Sequence, residues 1–282
     1  MNQQIRIKET VVMSGAAKRK LSKTSIAYVA VGVIMITLMT IVGMSAFLRA
    51  AEISVEGASA YTVEMVIEAS GLSIGDNLMF INLQNASQQI RSELPFVKEA
   101  NVVRILPDKV VIEVVESKAV ARVTSAGWLY VIDSSCRVLA SAYGSNDEEI
   151  VLSSSSGDIY SLIEIRGLEI EESTLGSTLK PVFGAETKLQ YTQDVLSALE
   201  REGIADDVSY VDVSNIVNVY FGYLGRYRVI LGGSTSLRPS NIRHNLVRLV
   251  ESIPTIEERY PNTIGDIDLS DESAPPKFTP TS

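Results

Sequence analysis

The pattern of apolar and polar residues divides the chain at one long apolar stretch. Residues 26–48 are 23 consecutive positions without Asp, Glu, Lys, Arg or His. A helix rises about 1.5 Å per residue, so this stretch would reach roughly 35 Å, against about 30 Å of bilayer hydrocarbon. Charged residues interrupt every later apolar run. The pattern therefore predicts a single membrane-spanning helix over residues 26–48.

Charge differs on the two sides of this stretch. Residues 1–25 carry six basic residues and one acid, whereas the remainder carries 19 basic residues and 33 acids. Basic flanks stay in the cytoplasm, so we predict a cytoplasmic tail over residues 1–25 and a single-pass type II orientation. The alternative is a cleaved signal peptide, but its apolar region would span only about 7–15 residues.

Shorter periodic segments after residue 50 predict a unit of strand, helix, helix, strand and strand. Alternation at Glu52–Glu56 indicates the first strand. Thr62 is a candidate N-cap of the first helix, and Gly71 a stop signal. The pattern then predicts a helix over residues 85–93 and, on either side of a Leu106-Pro107-Asp108 turn, hairpin strands over residues 97–105 and 109–116.

Residues 118–271 mix both periodicities and predict a second domain with a mainly antiparallel sheet. The predicted helices cover residues 187–201 and 239–253. The predicted strands cover residues 149–152, 163–167, 208–213, 216–221, 227–231 and 264–270. Residues 272–282, rich in Pro and Ser, are predicted to form a flexible tail.

Composition limits which catalytic, metal-binding and partner-binding roles the chain can have. A single cysteine, Cys136, excludes an internal disulfide framework, and His244 is the only histidine. We find no spacing that indicates a nucleophile–base arrangement, a metal site or a cofactor loop, so we predict no catalytic, metal or cofactor-binding residues. The excess of acids after residue 25 argues against nucleic acid as a partner.

Several short motifs in order resemble a POTRA domain: Val55-Glu56-Gly57, Ser70-Gly71-Leu72, Gly75-Asp76-Asn77-Leu78, Leu94-Pro95-Phe96-Val97 and Arg104-Ile105-Leu106-Pro107-Asp108. One such unit after a single type II span resembles the FtsQ/DivIB family of bacterial division proteins. The resemblance implies an α+β fold, with a β-α-α-β-β POTRA domain over residues 50–117 and an FtsQ/DivIB-type β domain over residues 118–271. Residues 128–133 followed by residues 137–139 resemble the family's strand pair after the POTRA unit. The family usually has Gly in the turn of this pair, where this chain has Cys136.

The resemblance also implies partners and their site. The expected partners are FtsL-like and FtsB/DivIC-like bitopic coiled-coil proteins, with the septal synthase FtsW–FtsI downstream. The implied site is the final strand and the segment after it, which on this chain comprises Ile264, Ile267, Asp268, Leu269, Ser270, Asp271 and Phe278. We expect Ile267 and Leu269 on opposite strand faces and Phe278 as a candidate anchor. The alternative is a purely structural strand with Phe278 disordered.

These features together predict a non-enzymatic division scaffold at the septum, which binds partners outside the membrane by β-strand addition and helps to control septal peptidoglycan synthesis. Two alternatives remain open. One is a membrane-anchored cell-wall enzyme, which would need a convergent set of catalytic groups. The other is a POTRA-type chaperone or translocation module, a class that usually repeats the POTRA unit.

Overall fold

The computed structural model describes residues 23–144, 159–233, 238–271 and 273–281. Most of the predicted tail over residues 1–25, and all of the predicted strand over residues 149–152, lie outside these ranges. The chain separates into two compact units, Met1–Leu48 and Arg49–Ser282. Each unit is described by itself.

In the first unit, Lys23–Phe47 form helix α1. The hydroxyls of Thr37 and Thr40 donate hydrogen bonds of 2.8 Å to the carbonyls of Val33 and Ile36. Among the residues that the structure describes, no helix meets the length and hydropathy requirements for crossing a membrane. The membrane span over residues 26–48 therefore stays a prediction from the sequence.

The second unit begins with a three-stranded sheet. Its elements are β1 (Glu52–Glu56), α2 (Val63–Ser70), α3 (Leu83–Glu93), β2 (Val97–Ile105) and β3 (Lys109–Glu116). β3 lies in the centre, parallel to β1 and antiparallel to β2. Alternate residues of β3, Val110, Ile112 and Val114, point inward and pack with Val66 of α2 and Ile90 of α3. Strand alternation thus turns one apolar face of the hairpin toward both helices.

Polar side chains cap the two helices of this sheet. The Thr62 hydroxyl accepts a hydrogen bond from the Met65 N–H at 3.3 Å, and Gly71 ends α2 with a φ of 67°, which favours glycine. Asn82 accepts from the Asn85 N–H at 3.0 Å. Helix α3 therefore begins at Leu83, two residues before the predicted start.

A nine-stranded mixed sheet follows. Its elements are β4 (Ala121–Ser125), β5 (Trp128–Ile132), β6 (Val138–Tyr143), β7 (Ile163–Arg166), α4 (Glu186–Arg201), β8 (Val208–Asp212), β9 (Val219–Tyr223), β10 (Tyr227–Gly232), α5 (Pro239–Arg259), β11 (Gly265–Asp268) and β12 (Lys277–Pro280). The described strands lie in the order β12-β11-β10-β9-β8-β7-β4-β5-β6. The pairings β4–β7, β7–β8 and β10–β11 are parallel, and the other five are antiparallel.

Helices α4 and α5 pack on this sheet around one large core. Leu196 and Leu199 of α4 and Leu246 of α5 are fully buried against strand residues such as Phe221. Helix α5 continues beyond the predicted end at residue 253, through Pro254 to Arg259. The buried stripe of α5 extends from Ile242 to Ile256 and packs into the large core. An amphipathic helix gains most of its stability from such packing.

A smaller cluster joins the two sheets. Phe96, from the corner before β2, packs with Leu129 and Val131 of β5, and Tyr61 lies against the same cluster. The Phe96 N–H donates to the Tyr61 hydroxyl at 3.3 Å, and the Phe96 carbonyl accepts from the Ser117 N–H at 2.7 Å. The segment that leaves β3 is thus fixed by backbone and side-chain contacts as it enters the larger sheet.

Candidate protein-binding edge

The end of the larger sheet differs from the sequence-based expectation. The final predicted strand is present as β11, but it is not the outermost strand. Residues expected in a flexible tail form β12, which pairs antiparallel with β11 from Gly265↔Pro280 to Asp268↔Lys277. Prolines at positions 275, 276 and 280 suggest a tail in the sequence, but Pro is compatible with an edge strand because its missing N–H can face away from the sheet.

The register of this pair determines which backbone groups of β12 are available. The Thr281 N–H donates to the Ile264 carbonyl at 2.9 Å, so positions 281, 279 and 277 face β11. The intervening positions of β12, 278 and 280, turn their backbone groups outward. Since Pro280 lacks an N–H, the outward edge of β12 offers two carbonyl acceptors but a single donor, the Phe278 N–H.

Aromatic contacts hold β12 in place. The Phe278 ring lies 5.9 Å from the Tyr227 ring in an edge-on arrangement and 5.1 Å from the Tyr260 ring. Phe278 is half-buried against the large core, and Ile267 opposite it is fully buried. The side chain expected to anchor a partner therefore packs within its own sheet.

Gly265 is required for the close approach of β12. A Cβ atom at this position would lie 2.5 Å from the Thr279 carbonyl oxygen and 2.6 Å from the Phe278 ring. Only glycine permits both contacts without a shift of the strand.

Charged side chains line the exposed side of the same edge. The guanidinium of Arg228 on β10 forms an ion pair with Asp266 on β11, with a hydrogen bond of 3.0 Å from Nε. The Asp266 carboxylate, as hydrogen-bond acceptor, raises the pKa of Arg228 above its ordinary value. Both side chains are partly exposed, so this cross-strand pair contributes at most about 1 kcal/mol to stability and chiefly supports the register.

The turn between β11 and β12 is fastened from α5. The Arg248 guanidinium donates to the carbonyl of Ala274 and lies 3.3 Å from the carbonyl of Asp271. Within the turn, the Asp271 carboxylate accepts hydrogen bonds from the Ser273 N–H at 2.9 Å and the Ser273 hydroxyl at 2.6 Å. The Ser273 hydroxyl, reinforced by the Ser273 N–H, lowers the pKa of Asp271.

The structure separates the six predicted site residues other than Phe278 into two groups. Ile267 and Leu269 are both fully buried, so the expectation that they lie on opposite faces is wrong, because residues two apart on a strand share a face. Ile264, Asp268, Ser270 and Asp271 are exposed near the turn or at the start of β11. Asp268 accepts from the Ser270 N–H and hydroxyl at 2.9 and 2.7 Å, so it caps the end of β11.

Sequence patterns did not indicate the residues that hold β12. Tyr227 lies on β10, Arg248 on α5 and Tyr260 directly after α5, and only the fold brings them to the terminal segment. The pairing of an aromatic residue with prolines on alternate positions, at 276, 278 and 280, was the one available signal of an edge strand.

The residues that could suggest catalytic or metal-binding chemistry lie away from this edge. Cys136 sits in the turn before β6 with a φ of 60°, where the family usually has Gly, and is buried. Burial, reinforced by the nearby charge of Asp133, raises the pKa of the Cys136 thiol. A thiol with a raised pKa is a poor nucleophile. Among the described residues, no group of three or more His, Cys, Asp or Glu side chains is arranged to hold a metal ion.

Comparison with known proteins defines the class. Residues 48–117, which include the whole three-stranded sheet, match the family model described as POTRA domain, FtsQ-type. The chain is 22% identical to the cell division protein DivIB of Clostridium tetani over 201 residues, 71% of this chain and 69% of that protein. It is 35% identical to the cell division protein FtsQ of Corynebacterium glutamicum over 118 residues, 40% of this chain and about half (52%) of that protein. A match at 35% identity to FtsQ of Caulobacter vibrioides covers 35% of this chain and 32% of that protein.

These findings indicate an FtsQ-type POTRA domain over residues 48–117, followed by a second, larger sheet. The chain is similar to the cell division proteins DivIB and FtsQ.

Proposed function

We propose that this chain is a non-enzymatic scaffold of the bacterial division machinery, anchored in the cell membrane by residues 26–48 with its two sheets outside the cytoplasm. Three observations support the proposal: similarity to DivIB and FtsQ cell division proteins, the uncharged stretch of 23 residues and the change of charge across it. In this role the protein acts at the septum by bringing partners together, and the sheets provide surfaces rather than reacting groups.

The partners proposed are FtsL-like and FtsB/DivIC-like bitopic coiled-coil proteins, with the septal synthase FtsW–FtsI acting downstream. The single observation that carries this part is the outer edge of β12, the outermost of the described strands at its end of the sheet. A partner segment added there would donate to the carbonyls of positions 278 and 280 and accept from the Phe278 N–H. Backbone hydrogen bonds would supply much of the affinity.

A pair of substitutions at one position tests this mode of binding. Phe278→Pro removes the outward donor, whereas Phe278→Leu keeps it and loses only the aromatic ring. We expect Phe278→Pro to weaken capture of the FtsB/DivIC-like partner at least ten-fold, about 1.4 kcal/mol, and Phe278→Leu to weaken it much less. Hydrogen exchange must show β11 intact in both variants. Equal affinities of the two variants would place the partner elsewhere, for example at an edge of the three-stranded sheet.

A further inference from the structure

One loop of the POTRA unit displays an unusual set of apolar side chains. Residues 73–81, here named the apolar loop, contain one charged residue, Asp76. Three of its large side chains are exposed: Ile74 at 72%, Met79 at 53% and Phe80 at 79% of their area. Single exposed apolar residues are common on protein surfaces, but three within seven positions indicate a contact surface.

The apolar loop is held rigidly from below. Leu78 is fully buried, and its carbonyl accepts a hydrogen bond from Arg104 of β2 at 2.6 Å. The N–H groups of Gly75, Met79 and Phe80 are all bonded within the unit, at 2.8 to 2.9 Å. The side chains are therefore presented in fixed positions by a backbone whose donors are largely satisfied. Such a backbone can enter a poorly hydrated environment at low cost, whereas free donors would oppose it.

Chain connectivity determines what lies beside this loop. The Ala50 N–H donates to the Asp76 carbonyl, and the Ala50 carbonyl accepts from the Gly75 N–H, both at 2.8 Å. Arg49 forms an isolated β-bridge with Asn77. Ala50 is two residues after Leu48, the last residue of the uncharged stretch, and two residues span at most about 7 Å. The apolar loop is thus bonded to residues 49 and 50, the first two residues after that stretch.

We propose that Ile74, Met79 and Phe80 insert into the headgroup–acyl boundary of the extracytoplasmic leaflet and make the apolar loop a second, peripheral membrane contact. The inference rests on the proposed anchoring of residues 26–48. Lipid fits the surface better than an added protein strand, because the loop offers apolar side chains while its N–H groups are occupied. Burial of such side chains at the interface is favourable, in proportion to the apolar area removed from water. The contact would restrict how the POTRA unit tilts above the bilayer.

The experiment uses the full chain, reconstituted in phosphatidylcholine–phosphatidylglycerol vesicles whose acyl chains carry a quencher. An environment-sensitive fluorophore is attached to one engineered cysteine at a time: Phe80→Cys, Ile74→Cys, the control Phe183→Cys and the reference Met39→Cys. Phe183 is the matched control because it is also a phenylalanine and is 99% exposed, far along the chain in the second domain. The native Cys136 is fully buried, so the unsubstituted chain should take up no label.

We expect labels at positions 39, 74 and 80 to be quenched at least three-fold more than the label at position 183. Adding Met79→Ser to the Ile74→Cys variant should reduce quenching at position 74. If the label at position 39 is quenched but the labels at positions 74 and 80 are quenched no more than the control, the loop contact is wrong. The proposed membrane anchor would not be affected by that result. An unquenched label at position 39 would instead overturn the anchor, and the loop contact with it.

Discussion

Arg248, on the third turn of helix α5, donates a hydrogen bond to the backbone carbonyl of Ala274, in the turn that leads into β12. The same guanidinium is within 3.4 Å of the Asp271 carbonyl. One side chain therefore connects the helix that packs under the sheet to the segment that forms its outer strand. The outer edge depends on a tertiary contact as well as on its own pairing with β11.

This contact leads to the first prediction. Arg248→Ala should release the turn, since hydrogen bonds from a charged donor contribute roughly 1.5–3 kcal/mol and partial exposure lowers that value. We expect amides 277–281 to exchange about ten-fold faster in hydrogen-exchange measurements, with little change in the core strands. Arg243→Ala is the matched control, because Arg243 lies on the same helix and pairs with Glu202, away from β12. Equal exchange in the two variants would show that the aromatic contacts alone hold the strand.

The small sheet was largely predictable from the sequence. Alternation defined β1, β2 and β3 with their observed bounds, because each of these strands has one face on a core and the other toward solvent. The cap residues Thr62 and Gly71 also marked the ends of α2 correctly. In these segments, the local sequence pattern and the surroundings in the folded protein favour the same residue types.

The larger sheet was predicted less completely. The short strand β4 (Ala121–Ser125) was missed, and β9 begins at Val219 rather than at residue 216 because Asn215 and Asn218 close a turn there. β12 was missed because its prolines suggest a tail. Its stability comes from Tyr227 and Tyr260, which are distant in sequence, so the alternation of Pro and Phe at 276, 278 and 280 did not by itself establish a strand.

The second prediction concerns the inward face of β3. Val114 is 5% exposed within the small core, whereas the next residue, Val115, is 53% exposed. Val114→Asp buries an unpaired charge, which costs several kcal/mol, and should unfold the three-stranded sheet. Val115→Asp, with the same change of side chain, should stay folded. Hydrogen exchange of residues 97–116 separates the two cases, and equal protection of both variants would contradict the assigned faces.

The third prediction concerns pH. Asp271 has a lowered pKa, chiefly because the Ser273 hydroxyl donates to its carboxylate. A lowered folded-state pKa stabilises the fold above the ordinary value, about 3.9, and this contribution is lost as pH falls through the folded value. The turn before β12 should therefore loosen only in acid.

Ser273→Ala tests the cause of this shift. Removal of the hydroxyl should move the pKa of Asp271 up toward its ordinary value, as measured by NMR titration of the side-chain carboxyl carbon. Asp271→Asn provides the assignment control, because it removes the titrating signal. An unchanged pKa in Ser273→Ala would mean that the Ser273 N–H and Arg248 account for the shift.

The last prediction concerns topology and follows from the basic residues before position 26 and the acidic excess after it. We expect the tail in the cytoplasm and everything after Leu48 outside, because basic flanks are retained on the cytoplasmic side. In intact cells, a membrane-impermeant maleimide should label Phe183→Cys, whose position is 99% exposed, and should label Ser14→Cys only after permeabilisation. The buried native Cys136 should not be labelled in either variant until the protein is denatured. Labelling of Ser14→Cys in intact cells would reverse the orientation, and release of the labelled chain from washed membranes would indicate a cleaved segment instead of an anchor.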